Sequence, residues 1–189
     1  MNKIFFLIFF LFKLINLFGQ NSNIPNQTEK YYLTEIDTVV SNKYWKNNTN
    51  KTEPILRFIK NRNNKTIAKY DISILEFYQG TEIEILEVEK LKNIAEIIHL
   101  ESNYSAGCAF TESNYYLKTI HSKIVQLPQI KYGNCETSEF KKEYVFPNQN
   151  LGVKNEILLI RSNENDNEKN NKLEVLLIYK WNGESLSVK

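Results

Sequence analysis

Two cysteines, Cys108 and Cys135, are the side chains of this chain with the widest choice of chemistry. A cysteine nucleophile needs a thiol pKa lowered by a neighbouring histidine, and neither His99 nor His121 adjoins a cysteine in sequence. Zinc needs four ligands, and no C-x-x-C or H-x-x-x-H spacing organises these four residues. An even number of cysteines in an oxidising compartment favours a crosslink. The sequence therefore predicts a Cys108–Cys135 disulfide that closes a loop of 28 residues, with unpaired structural thiols as the alternative.

The compartment is indicated by residues 1–19, which have the layout of a secretory signal peptide. Lys3 supplies positive charge, Ile4–Phe12 is an uninterrupted apolar run, and Gly19 is a small residue at the cleavage position. Nine helical residues rise about 14 Å, which is roughly half of the hydrocarbon core of a bilayer. We therefore predict export to the periplasm or the cell exterior, with no stable membrane span in the mature chain. A retained membrane anchor is the alternative.

Charge and arginine content bear on the class of partner. The whole chain has 24 basic and 22 acidic residues, and removal of Lys3 and Lys13 with the signal peptide leaves 22 of each. A mature chain without net charge has no global attraction to a phosphate backbone. Only three of its basic residues are arginines, which nucleic-acid sites prefer for bidentate contacts. We therefore expect no nucleic-acid partner.

A series of glutamates could supply paired catalytic carboxylates. A glycoside hydrolase places two carboxyl groups on either side of the scissile bond. The alternative is a solvated charged face, because Lys90 and Lys92 are interleaved with the same residues. The six glutamates are Glu82, Glu84, Glu87, Glu89, Glu96 and Glu101.

Other catalytic signals are missing from the sequence. No phosphate loop, dinucleotide fingerprint, H-E-x-x-H or G-x-S-x-G motif occurs in it, and each of these motifs reflects a backbone geometry that its chemistry requires. His99 and His121 each lack a partner carboxylate in register, which favours a core or exposed role for both. We predict no catalytic residue, no cofactor-binding residue, no metal site and no cofactor.

Aromatic residues offer a different kind of site. They make up 13% of the chain, which is enough for both a core and a binding surface. Tyr and Trp bind proteins and sugars because they give large contact area at low entropic cost. Core packing is the alternative use. Four aromatic residues lie close together early in the chain: Tyr31, Tyr32, Tyr44 and Trp45.

The C-terminal half has the patterns of antiparallel strands. In Leu173–Trp181 every odd-numbered residue is apolar, which predicts a strand inside a sheet with Leu177 buried near its centre. Asn182-Gly183 is a type I′ hairpin signal, so Ser185–Val188 should return as a short strand. Further strands are predicted at Tyr115–Ile120, Lys123–Leu127, Glu143–Phe146 and Glu156–Arg161.

Helical spacing is more evident in the N-terminal half. Apolar residues from Tyr32 to Tyr44 follow one helical face, and Thr28 could cap that helix. Pro54–Lys60 could form a short helix with the proline in its first turn, and Asp71–Gly80 carries another helical face. Residues 82–100 fit either a helix, through their Glu, Leu and Lys content, or strands.

Together these patterns predict an α+β fold that is mainly antiparallel β. The C-terminal half should form a β-meander sheet or small sandwich, and the N-terminal half one or two short helices; the alternative is an all-β sandwich. Residues 20–189 should form a single exported domain, with a soft boundary near Gly80. We expect a non-enzymatic binding or structural protein that binds a protein or glycan through a β surface. The alternative is a small secreted hydrolase with dispersed carboxylates.

Overall fold

The computed structural model describes residues 27–34, 55–72, 74–86, 90–133, 140–163 and 173–189. Within these residues the chain forms twelve strands, and every pairing between them is antiparallel. The strands are β1 (Tyr31–Leu33), β2 (Ile55–Asn61), β3 (Thr66–Ile72), β4 (Tyr78–Leu86), β5 (Ile94–Ala106), β6 (Cys108–Thr119), β7 (Ile124–Gln126), β8 (Ile130–Gly133), β9 (Phe140–Val145), β10 (Glu156–Asn163), β11 (Glu174–Trp181) and β12 (Leu186–Val188).

These strands form three sheets. The first has the order β1-β2-β3, and the third has the order β12-β11-β10-β9. Between them in sequence lies a sheet of order β4-β5-β6-β7, in which β8 also pairs with β6. Its two longest strands, β5 and β6, are joined at Gly107, whose φ of +76° lies in the left-handed region that favours glycine. We call this five-stranded sheet the central sheet.

The central sheet contributes both of its faces to the core. On one face, Ile98 shares a buried cluster with Ile59 and Tyr70 of the first sheet. On the other face, Ile97 shares a buried cluster with Trp181 of the third sheet. Because neighbouring residues of a strand point to opposite faces, one strand can join both clusters. The long strands β5 and β6 therefore bury residues on both faces over much of their length.

The prediction of a mainly antiparallel β fold is confirmed. Strands β6 and β7 form the predicted hairpin, whose turn contains His121 and Ser122. Asn182-Gly183 lies between β11 and β12, but the predicted two-residue type I′ turn is wrong: Trp181 pairs with Leu186 across four residues, and of Asn182 and Gly183 only the glycine has a positive φ, +107°. Most of the described residues within 82–100 belong to β4 and β5, so this stretch is strand rather than helix.

The predicted N-terminal helices are wrong where the structure describes them. Tyr31–Leu33 and Ile55–Asn61 are strands, and the single helical segment among the described residues is a 3₁₀ turn at Leu75–Phe77. Residues 35–44 of the first predicted helix lie outside the described residues. The apolar residues of β2 have the spacing of a helix, but pairing with β1 and β3 makes this segment a strand.

Strand β11 lies inside the third sheet, as predicted, between β10 and β12. Its predicted continuous apolar face is wrong, because a bulge changes the register. Leu159 pairs with Leu177, whereas the next residue, Ile160, pairs with Val175. Leu176 is therefore an extra residue on β11, and Val175 lies on the opposite side of the sheet from Leu177.

The burial predicted for Leu177 is wrong as well. Leu177 is 41% exposed, whereas Tyr179 and Trp181 on the same strand are buried. We expect Leu177→Ala to lower the free energy of unfolding in urea by about 1 kcal/mol, below the roughly 2–5 kcal/mol typical of a buried leucine. Glu174→Ala, at the exposed start of the strand, should change it by no more than about 0.5 kcal/mol. A loss above about 2 kcal/mol for Leu177→Ala would mean that this side chain is covered in solution.

Candidate ligand-binding site

Glu96 is a buried carboxylate on the central strand β5, with an exposed fraction of 7%. The register between β5 and β6 shifts just before it, and Glu96 then pairs with Lys118. From Glu96 onward the register is regular, so Glu96 shares the face of Ile98. That face packs against the first sheet. The fold therefore places a carboxylate and an ammonium group side by side where the first sheet meets the central sheet.

Three side chains donate hydrogen bonds to this carboxylate. Lys118 Nζ donates to Oε1 at 2.7 Å and Lys30 Nζ to Oε2 at 3.0 Å. The Tyr31 hydroxyl also donates to Oε1. Lys118 Nζ lies 2.7 Å from the same hydroxyl oxygen and 5.4 Å from the centroid of the Tyr31 ring. We call Glu96, Lys118, Tyr31 and Lys30 the Glu96 cluster.

The pKa shifts within the Glu96 cluster favour the ion-paired state. Burial alone would raise the pKa of Glu96, but hydrogen bonds from its three partners lower it to about 2. Burial and the adjacent carboxylate raise the pKa of Tyr31. Burial opposes the charge on Lys118, yet its contacts with Glu96 and Tyr31 raise its pKa. At neutral pH Glu96 is therefore ionised, Lys118 is charged and the Tyr31 phenol is neutral.

An open cavity of about 440 Å³ lies over the Glu96 cluster. This volume is within the range of small-molecule sites, about 300–1,000 Å³. None of the lining residues has an aliphatic side chain, since three are basic, two are acidic, two are amides and one is a phenol. The cavity therefore suits a small polar ligand. Its lining residues are Glu29, Lys30, Tyr31, Asn61, Arg62, Asn63, Glu96 and Lys118.

The rim of the cavity is held by the turn between β2 and β3. Arg62 Nε donates to the carbonyl oxygen of Glu29 at 3.0 Å, and its Nη2 donates to the carbonyl of Thr28. Asn61 Oδ1 accepts from two backbone amides, that of Asn63 at 3.1 Å and that of Lys65 at 3.0 Å. Because its oxygen is already used, Asn61 has its amide NH₂ group to offer a ligand.

The structure separates the four described glutamates of the predicted series. Glu96 faces the first sheet, whereas Glu82, Glu84 and Glu101 lie on the opposite face of the central sheet. The remaining two, Glu87 and Glu89, lie outside the described residues. Within the described part of the chain, the second carboxylate that lines the cavity is therefore Glu29, which is not one of the six.

The two histidines occupy different environments. Glu84 pairs with His99 across the strands, and its Oε2 lies 3.5 Å from His99 Nδ1. The expectation that His99 has no carboxylate in register is therefore wrong. Its ring stacks on Tyr115 with a centroid separation of 4.2 Å, and burial lowers the pKa of His99 despite the nearby carboxylates. His121 is exposed at the turn after β6.

The early aromatic residues do not form a stacking platform within the described chain. Tyr31 is buried and contributes its hydroxyl to the Glu96 cluster. Tyr32 is partly buried, and its hydroxyl donates to Asn64 Oδ1 at 2.8 Å. Tyr44 and Trp45 lie outside the described residues. Hydrogen-bonding groups rather than ring faces therefore dominate the cavity.

The predicted disulfide and signal peptide remain predictions. Cys108 begins β6 directly after Gly107, and Cys135 lies in the segment 134–139, outside the described residues. Residues 1–19 also lie outside them. Among the residues that the structure does describe, none form a group of three or more His, Cys, Asp or Glu side chains that could hold a metal ion. The same part of the chain contains no helix with the length and hydrophobicity needed to span a bilayer.

Comparisons with known proteins found no match among protein-family models, curated proteins or solved structures.

Sequence reasoning identified part of this site. Glu96 was in the predicted glutamate series and Tyr31 in the predicted aromatic group, but neither pattern marked the two as partners. Lys30, Lys118 and the residues of the rim were not predicted as site residues. One local signal could have indicated a buried charge pair. It is a charged residue within an otherwise apolar stretch of a strand, such as Lys118 directly after Leu117.

Proposed function

We propose that this chain is an exported, non-enzymatic domain that binds a saccharide in the open cavity over the Glu96 cluster. The observation that carries this proposal is a cavity lined only by residues with polar or charged groups, built around an ionised carboxylate that accepts from three donors. Export is supported by the signal-peptide layout of residues 1–19, and a mature chain that begins at Gln20 would agree with it.

A saccharide suits this cavity better than a protein segment. Each sugar hydroxyl both donates and accepts hydrogen bonds, and the lining mixes ammonium and amide donors with carboxylate acceptors. Protein interfaces, in contrast, depend on buried aromatic or apolar anchors. The lining has a single aromatic side chain, Tyr31, and that ring is already covered by Lys118.

The shifts of pKa favour binding over hydrolysis. A glycoside hydrolase needs a carboxyl group whose pKa is raised, so that it can protonate the leaving group. The pKa of Glu96 moves in the opposite direction, to about 2, and its oxygens are occupied by three donors. The raised pKa of Lys118 likewise disfavours a neutral amine nucleophile. The Glu96 cluster is therefore built to stay charged rather than to exchange protons.

Obstruction of the cavity tests the proposal. Wild-type protein should bind at least one member of a panel of neutral and acidic oligosaccharides by calorimetry, and should leave the sugar intact on overnight incubation. Asn63→Trp places a bulky side chain at the rim and should weaken binding by at least about tenfold, or about 1.4 kcal/mol.

The matched control is Asn150→Trp, which alters another exposed asparagine, in a turn outside the cavity lining. Its affinity should equal that of the wild type. Equal weakening by both variants would place the saccharide elsewhere, and release of shorter sugars would support the hydrolase instead. An absence of binding across the panel would contradict the proposed function.

A further inference from the structure

We infer that the ligand of this cavity is an acidic saccharide, whose carboxylate is bound by the cationic groups at the cavity surface. This inference rests on the proposed function and narrows its ligand class. It follows from the depth at which each charge of the Glu96 cluster lies.

Within the Glu96 cluster the negative charge lies behind the positive ones. The side chain of Glu96 is 8% exposed, that of Lys118 is 23% exposed and that of Lys30 is 64% exposed. A ligand that enters from solvent therefore meets ammonium groups before it meets the carboxylate. Each ammonium group has three donor positions, so a bond to Glu96 does not exhaust either lysine.

A third cation stands at the rim. The bonds of Arg62 to Thr28 and Glu29 reach backbone carbonyls, which orient the guanidinium but carry no charge to neutralise it. The eight lining residues include three bases and two acids, and the more deeply buried acid is the one already paired. With three bases against two acids, the lining has a net charge of +1.

A sugar ring that carries a carboxylate matches both the cationic groups and the amides of this lining. Ammonium and guanidinium groups form their strongest hydrogen bonds with carboxylates. The amides of Asn61 and Asn63 are suited to the neutral hydroxyls of the same ligand. A neutral saccharide would leave the cationic excess without a partner, and a free small anion would leave the amides unused.

The test compares matched probes. α-1,4-Digalacturonate and α-1,4-galactobiose have the same linkage and differ in the carboxylate that replaces the C6 alcohol, and acetate supplies a carboxylate without a sugar. At about 20 mM salt the digalacturonate should bind roughly tenfold more tightly than the neutral disaccharide. At about 1 M salt, where charges are screened within about 3 Å, this preference should largely disappear. Acetate should bind far more weakly than the digalacturonate.

Charge variants assign the preference to the cavity. Lys30→Gln and Arg62→Gln should each weaken digalacturonate binding more than galactobiose binding, so that the preference for the digalacturonate falls at least threefold or so. Lys180→Gln, which removes an exposed charge outside the cavity lining, is the control and should have no effect. A melting temperature close to that of the wild type would show that each variant is folded.

The outcomes separate the two proposals. Equal affinity for the two disaccharides, or a preference that Lys30→Gln and Arg62→Gln leave intact, would overturn the acidic-ligand inference and leave saccharide binding standing. Acetate that binds as tightly as the digalacturonate would overturn it in favour of a general anion site. Failure of both disaccharides to bind, together with failure of the wider panel, would overturn saccharide binding itself.

Discussion

Replacement of Lys118 by methionine should lower the free energy of unfolding by about 3 kcal/mol at neutral pH. The substitution leaves the buried carboxylate of Glu96 with one ammonium partner, Lys30, whose side chain is mostly exposed. Methionine retains much of the aliphatic length of lysine, so the loss reports the missing charge rather than a large cavity. Urea unfolding at pH 7 measures the difference.

The control for this substitution is an ion pair at the surface. Lys141 and Glu143 lie 3.3 Å apart, with 41% and 38% of their side chains exposed. Lys141→Met should therefore cost less than about 1 kcal/mol, as exposed pairs generally do. If Lys118→Met and Lys141→Met destabilise the protein equally, the Glu96 cluster does not contribute as a buried ion pair.

The pH dependence identifies the responsible group. The pKa of Glu96 is about 2 in the folded protein, below its ordinary value of 4.5. A carboxyl group with a lowered folded pKa stabilises the fold above its unfolded pKa, and this contribution is lost as the pH falls through the folded value. Wild-type protein should therefore lose stability on acidification from about pH 5 to about pH 2, by roughly 3 kcal/mol from this group. Lys118→Met should lose less, so the two proteins should converge at low pH. A constant difference between them across this range would exclude Glu96 as the cause.

Reduction of the native protein should lower its free energy of unfolding by about 2–4 kcal/mol, because we expect Cys108 and Cys135 to be crosslinked. The register of the central sheet supports this expectation. Phe110 pairs with Gly133, and each of these two residues lies two positions from one of the cysteines. A disulfide needs Cα atoms about 4.4–6.8 Å apart.

The size of the effect follows from the loop that the bond would close. A loop of 28 residues corresponds to about 3.5 kcal/mol in the chain-entropy description. The Cys108→Ser/Cys135→Ser variant should fold, melt at a lower temperature than the oxidised wild type, and show no further loss with reductant. Mass spectrometry after alkylation of the denatured, unreduced wild type should show no adduct. Two adducts per chain would mean that both thiols are free.

The sequence predicted those parts of the fold that depend on local pattern. The sequence predicts a chain reversal at Asn182-Gly183 and a strand near β10 because each of these signals is contained within a few neighbouring residues. The helix predicted at Pro54–Lys60 also depends on local spacing alone, and it is wrong. Ile55, Phe58 and Ile59 have the i, i+3, i+4 spacing of a helix, but all three pair with β3, and Ile59 also pairs with β1. Local spacing does not distinguish these two outcomes when a short apolar run has partners that are distant in sequence.

The sequence does not predict the bulge or the candidate site, because both depend on residues of different strands. The bulge at Leu176 reverses the face of Val175, and it is defined by the strand opposite rather than by β11 alone. In the Glu96 cluster, Lys118 lies 22 residues and Tyr31 lies 65 residues from Glu96. A sequence pattern shows that each of these residue types is present, but the register of the central sheet and the docking of β1 bring them together.

The position at which a saccharide binds is the most direct test of a saccharide site at the Glu96 cluster. Backbone amide NMR spectra of the ¹⁵N-labelled protein, recorded during titration with α-1,4-digalacturonate, report each contact region separately. We predict that the amides of Lys30, Asn61, Arg62 and Asn63 shift together and saturate with one affinity, while the sugar signals remain those of the intact disaccharide. Shifts confined to other surfaces, such as the His99 face of the central sheet, or the appearance of free galacturonate would contradict a non-catalytic saccharide site at the Glu96 cluster.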